Sequence, residues 1–131
     1  MKVANPLDFT ENHRFTVFRE SSLGPLQLKS LNLLYLPMIG AEAVALYLAL
    51  HQQLPAEMSG YSPLAEQRKL FHALGAEMGV KGRRRIADCA SRLEATGLLR
   101  SFQRVNPLSG ELVYEYRLYM PLNPYEFFQN Q

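Results

Sequence analysis

LKSLNLLYLPMIGAEAVALYLALHQQL, residues 28–54, is the stretch on which the fold turns. Leu28, Leu31, Leu34 and Tyr35 recur at three and four residues and mark one face of a first helix. Ala43, Leu46, Tyr47, Leu50 and Leu54 repeat that spacing in a second helix. Val44, Leu48 and Ala49 make the second apolar on a further side, and a helix apolar on more than one side is normally covered on more than one. Residues 40–54 are therefore expected as the central helix. Pro37 lacks the N–H that would continue the first helix, and the residue before a proline resists helical geometry. The break is expected across residues 36–40, with Gly40 as N-cap of the second helix. The rival reading is a membrane span, since residues 33–50 are almost wholly apolar and just long enough. Pro37 and Gly40 near the middle argue against it, as does Glu42, whose charge in hydrocarbon would cost about 3 kcal/mol. A buried core is the expectation.

A chain of 131 residues fits one domain, large enough to bury about two-thirds of its unfolded surface without staples. The single Cys89 excludes an intramolecular disulfide and any cysteine-rich metal site. Lys2, Asn5, Pro6 and Asp8 do not make a signal peptide, so a cytoplasmic protein is expected. The net charge of +2 is mildly basic and by itself says little. Of the 14 Lys and Arg residues, Lys81, Arg83, Arg84 and Arg85 stand together, the one local charge asymmetry.

Residues 1–14 are polar and aperiodic and are expected as a flexible arm. Phe15-Thr16-Val17-Phe18 reads as a short strand. Leu23-Gly24-Pro25 breaks the chain ahead of the first helix, Pro25 suiting its opening turn. Pro55, Ser59 and Gly60 mark a loop, with Ser62 as N-cap and Pro63 opening a helix that turns Leu64, Gln67, Leu70, Phe71 and Leu74 inward and stops near Gly75. A second helix follows over residues 81–96, with Ile86, Cys89, Ala90 and Leu93 inward and Gly97 closing it. Residues 98–105 and 112–120 are expected as two strands joined by the turn Asn106-Pro107-Leu108-Ser109-Gly110. Leu112, Tyr114, Tyr116 and Leu118 alternate with Val113, Glu115 and Arg117. Helix, turn, helix and hairpin make a winged helix, so the fold class is α+β, mainly α, with an extra N-terminal strand and helices. The expected organisation is an arm over 1–14, the winged helix over 15–120 and an aromatic tail over 121–131.

The helix from Lys81 stands in the recognition position of a helix-turn-helix. Lys81, Arg83, Arg84, Arg85 and Arg92 suit phosphates near a helix N-terminus, and Arg100 and Arg104 on the wing would extend the patch. The plainer alternative is a solvated helix face with Asp88 paired to Arg84 or Arg92. The helix has no Asn or Gln to read bases, so any DNA contact is expected to be nonspecific. Strand edges and aromatic surfaces also pair chains, which makes Phe15, Val17, Phe18, Tyr114 and Tyr116 candidates for an oligomer or partner interface; core burial is the alternative. Residues 75–81 fail the phosphate-loop pattern, because Lys81 is followed by Gly82. His13, His51 and His72 are scattered, Asp88 and Glu94 do not face each other, and Cys89 lies on the core side. No catalytic residue, metal site or cofactor is expected.

Four ordered blocks resemble a known family. They are Leu34-Tyr35-Leu36-Pro37-Met38-Ile39-Gly40 with Leu46-Tyr47, Leu93-Glu94-Ala95-Thr96-Gly97-Leu98-Leu99, Tyr114-Glu115-Tyr116-Arg117-Leu118, and Pro121-Leu122-Asn123-Pro124-Tyr125-Glu126-Phe127-Phe128. Together they resemble the DnaB/DnaD-type primosome proteins of Gram-positive bacteria, most of all the DnaB-type replication initiation and membrane attachment branch. Met38 stands where Leu is more usual, a tolerable exchange. The resemblance implies an N-terminal winged-helix domain of a longer, otherwise helical helicase-loading factor. It implies homo-oligomers, other primosome proteins, a helicase loader ATPase and the replicative helicase as partners, with DNA contact and room for a membrane link through the full-length protein. In such proteins the N-terminal module serves chiefly self-association and partner docking. The alternative from another class is a winged-helix transcriptional regulator that binds one operator.

Overall fold

Strand β2 (Arg14–Arg19) grows from the β-branched and aromatic run and lies parallel to β6 (Leu112–Leu118), Phe15 opposite Tyr114 and Val17 opposite Tyr116. Parallel neighbours need a crossover, and here nearly the whole intervening chain supplies it, laying its helices over one face of the sheet. The computed structural model describes residues 2–3, 10–123 and 125–126. Strand β5 (Leu99–Val105) pairs antiparallel with β6, and β1 (Lys2–Val3) pairs antiparallel with β5. Strands β3 (Gly60–Tyr61) and β4 (Ala65–Glu66) both pair with β2, giving the order β1-β5-β6-β2-β3 in a six-stranded sheet. The expected hairpin is present, but β6 stands mid-sheet rather than at the edge of a free wing. That is why the expected in-and-out alternation along β6 is incomplete: Val113 and Glu115 are buried as well as Tyr114 and Tyr116.

The first helical unit corrects the expected break. α1 (Pro25–Ser30), a π turn (Leu31–Tyr35) and α2 (Leu36–Ile39) run on through Pro37. A proline ring clashes with the carbonyl four residues back. The π turn bonds the Leu36 N–H to the Leu31 carbonyl, five back, and so widens the turn beside Pro37. The chain breaks at Gly40 instead, where φ is +90°, a conformation that suits glycine. α3 (Ala41–His51) then runs through the core, burying Ala43, Leu46, Tyr47, Ala49 and Leu50. Among the described residues no helix is long and apolar enough to cross a membrane.

Ser62 caps no helix, contrary to expectation. Its N–H donates to the Val17 carbonyl at 2.8 Å, its Oγ accepts from the Val17 N–H at 2.8 Å, and its carbonyl accepts from Thr16 Oγ1 at 2.7 Å. Sheet pairing to β2 outcompetes the cap, so residues 60–66 are extended, Leu64 is exposed, and α4 (Arg68–Ala73) begins later than expected. α5 (Val80–Ala95) buries Ile86, Cys89, Ala90 and Leu93. It ends with the Gly97 N–H on the Glu94 carbonyl and the Leu98 N–H on the Leu93 carbonyl, Gly97 having φ +77°.

The arm is tied down in two places, at Lys2–Val3 on β5 and at Glu11, which is 9 % exposed. The beginning of the tail folds back, Pro121 being buried and the Leu122 N–H donating to Tyr35 Oη at 3.0 Å. Pro124, Phe127 and Phe128 of that tail, and residues 4–9 of the arm, lie outside the described residues.

Candidate functional site

The N-terminus of α5, expected to receive phosphate, holds a carboxylate of the chain itself. Glu11 Oε2 accepts from the Gly79 N–H at 2.7 Å, and Arg83 Nε stands 3.5 Å from Glu11 Oε1. The Gly79 hydrogen bond, with Arg83 and Arg68 nearby, holds the Glu11 carboxyl below its ordinary range despite the opposing effect of burial. A carboxylate there satisfies the same donors and dipole that would attract an external anion.

Two more of the candidate arginines are fixed within the fold. Arg85 donates to Glu42 Oε2 at 2.9 Å and to the Leu74 and Gly75 carbonyls at 3.1 and 3.3 Å, tying the end of α4 to the start of α3. The hydrogen bond lowers the Glu42 pKa and raises that of Arg85. Arg92 stands 3.1 Å from Asp88 and donates to the Ile39 carbonyl at 3.1 Å, anchoring α5 to the end of α2. Lys81 and Arg84 are exposed, and among the described residues neither has an ion pair.

The wing arginines do not extend this patch. α5 packs on the face of β5 that carries Leu99 and Ser101, the latter donating to Glu94 at 2.9 Å. Strand alternation turns Arg100, Phe102 and Arg104 to the opposite, outer face. There Arg100 lies over the Phe102 ring at 5.2 Å and Arg104 stands 3.7 Å from Glu115.

The candidate interface residues divide in the same way. Phe15, Val17, Tyr114 and Tyr116 are at most 2 % exposed, so burial under the helices removes them from any surface. Phe15 and Tyr116 pack ring to ring at 5.6 Å, and the Tyr116 hydroxyl donates to Gln67 Oε1. Only Phe18 reaches the outer face, half-buried, 4.9 Å from the Tyr61 ring. Arg117 bridges Phe18 and Phe102, 5.8 and 5.0 Å from their centroids, and donates to Glu115 at 2.6 Å. Sequence reading missed Tyr61, Phe102 and Arg117. The i, i+2 spacing of Arg100, Phe102 and Arg104 carried a signal for Phe102, whereas nothing local places Tyr61 beside Phe18.

Among the described residues no group of three or more His, Cys, Asp and Glu could hold a metal ion. Burial pushes the Cys89 thiol up to about 11, which suits an inert core cysteine. Arg19, also missed, is buried, and among the described residues it has no carboxylate partner. It donates to the His51, Pro55 and Met58 carbonyls at 2.6, 2.7 and 3.1 Å and so holds the loop after α3.

The architecture has a solved counterpart. A structure of the primosome protein DnaB, residues 1–300, from Geobacillus stearothermophilus superposes with a TM-score of 0.76 at 26% identity, covering 95% of this chain and 44% of that one. The chain thus spans less than half the length of that relative. No curated protein sequence matches it. The sequence profile of the DnaB N-terminal winged helix domain matches residues 9–131. With that match over nearly the full length and the same fold beneath it, the chain belongs to the DnaB N-terminal winged helix domain family.

Proposed function

We propose that this domain is a non-enzymatic module of replication initiation that self-associates and docks other primosome proteins, a helicase loader ATPase and the replicative helicase among them. The observation that carries the reading is the family match over residues 9–131, joined to a structural relative that is itself a primosome protein. The state of α5 supports a scaffold over a sequence reader, because Arg83, Arg85 and Arg92 join elements of the fold. Auxiliary, nonspecific DNA contact then falls to Lys81 and Arg84. The protein acts in the cytoplasm, and any membrane link belongs to the full-length protein.

Mass measurement across concentration tests self-association: the mass should rise above that of one chain, and a monomer at high concentration overturns it. Duplex binding should be equal for random and selected sequences and should weaken steeply with salt. A preference of about a thousandfold for one site would instead mark an operator-reading regulator. Replacing Lys81 and Arg84 by Ala should reduce the salt slope by about one for each phosphate the domain then leaves unneutralised. An unchanged slope would remove α5 from the DNA contact.

A further inference from the structure

Across the outer face of the sheet, Tyr61, Phe18, Arg117, Phe102 and Arg100 form one unbroken row from β3 through β2 and β6 to β5. The successive separations along it measure 4.9, 5.8, 5.0 and 5.2 Å. We propose that this face binds single-stranded DNA, with Tyr61, Phe18 and Phe102 stacking on bases and Arg117, Arg100 and Arg104 meeting phosphates. The choice of DNA over RNA rests on the replication reading above; the single-strand assignment does not. Alternating aromatic rings and guanidinium groups across a sheet suit an unpaired strand, whose bases offer free faces beside a charged backbone. A duplex hides those faces and leaves the rings nothing to stack on. Tyr, Phe and Arg are also enriched where proteins dock; a face built for a protein partner would bind no oligothymidylate, which separates the two.

The Glu115 carboxylate beside the row does not cancel its charge. Glu115 is 1 % exposed and held between Arg117 at 2.6 Å and Arg104 at 3.7 Å, so it orients two cations more than it presents an anion. Fixed guanidinium groups lose little freedom on binding, which favours affinity. Where β2 and β6 end, the row opens into a cleft of about 280 Å³ lined by Phe18, Arg117, Ser21, Tyr119 and also Glu20, with room for one unstacked base.

Fluorescence anisotropy of labelled oligothymidylate with the 131-residue chain tests the proposal. Tyr61 is 52% exposed, so Tyr61→Ala should fold as the parent does, which a thermal melt checks. It should bind about five- to a hundredfold more weakly, the loss of one stacked base. Arg100→Ala should weaken binding and lower its salt dependence, while Lys29→Ala and Lys69→Ala, at exposed lysines off the row, should leave single-strand binding unchanged. No binding of oligothymidylate, or loss only in the Lys29 and Lys69 variants, overturns the proposal, and neither result affects the mass measurement that tests self-association. Tighter binding of oligouridylate than of oligothymidylate overturns the assignment to DNA.

Discussion

The Glu11 carboxylate accepts the Gly79 N–H at 2.7 Å, where an incoming phosphate would otherwise find a free donor. Glu11→Gln keeps the shape and removes the charge, and should cost about 1 kcal/mol at pH 7, read as a lower denaturant midpoint. Because folding lowers the Glu11 pKa, the charged form contributes fully above 4.5, and the gap between parent and variant should close as pH falls below that value. Equal midpoints at pH 7 would show that the carboxylate does not stabilise the helix start. His51 titrates with the same pH dependence for another reason. Both its ring nitrogens are buried and, among the described residues, have no hydrogen-bond partner, and desolvation, helped by Arg19, pushes its pKa from 6.5 down to about 4. Protonation therefore favours the unfolded chain, and stability present above pH 6.5 drains away as pH falls toward 4. By pH 5 this one group should remove about 2 kcal/mol. His51→Leu should flatten the stability profile between pH 6.5 and 5, and a profile as steep as the parent's would clear His51 of the effect.

At the scale of elements, the turn between α4 and α5 depends on a close approach. A Cβ on Gly82 would stand 1.5 Å from the Glu77 carbonyl oxygen, which is backbone and can move only with the whole connector. Gly82→Ala should therefore destabilise the domain by about 2–3 kcal/mol even though alanine favours helix, and a gain in melting temperature would refute the packing account. The same connector explains the arginines of α5. Arg83, Arg85 and Arg92 reach Glu11, the end of α4 with Glu42, and the end of α2, so three segments distant in sequence meet around one helix. The π turn ahead of Pro37 belongs here too, because the strain of a proline inside a helix is relieved by the turn before it rather than by termination.

At the scale of the molecule, Gln67, at the start of α4, ties the helix layer to the sheet at Tyr116 and to the chain just ahead of β2. It is 1 % exposed, its N–H donates to the His13 carbonyl at 2.8 Å, its Nε2 to the Thr10 carbonyl at 3.2 Å, and its Oε1 accepts from Tyr116. Tyr116→Phe removes one donor between the layers and should cost about 1–3 kcal/mol, since a buried acceptor loses that bond. Unfolding should stay a single transition for helix and sheet signals alike, and separate melting of the two would contradict one shared core.

Periodicity was enough for α3 and for the inward face of α5, because burial imposes its spacing on apolar residues whatever their neighbours are, and strand-forming residues bounded by turn signals were enough for β2, β5 and β6. The cap of Gly97 was legible for the same local reason. Pairing partners were not. The parallel contact of β2 with β6 and the extended course of residues 60–66 depend on groups far away in sequence, which no local rule weighs, and the helix passes Pro37 by a π turn that apolar spacing does not mark. The site divides along that line. Sequence alone determined that cations cluster on α5, whereas only the tertiary structure decided which of them have internal partners, which aromatics sink into the core, and that Phe18, Tyr61, Phe102 and three arginines meet on one face of the sheet. Charge is a property of the residue, but availability depends on what the rest of the chain places beside it.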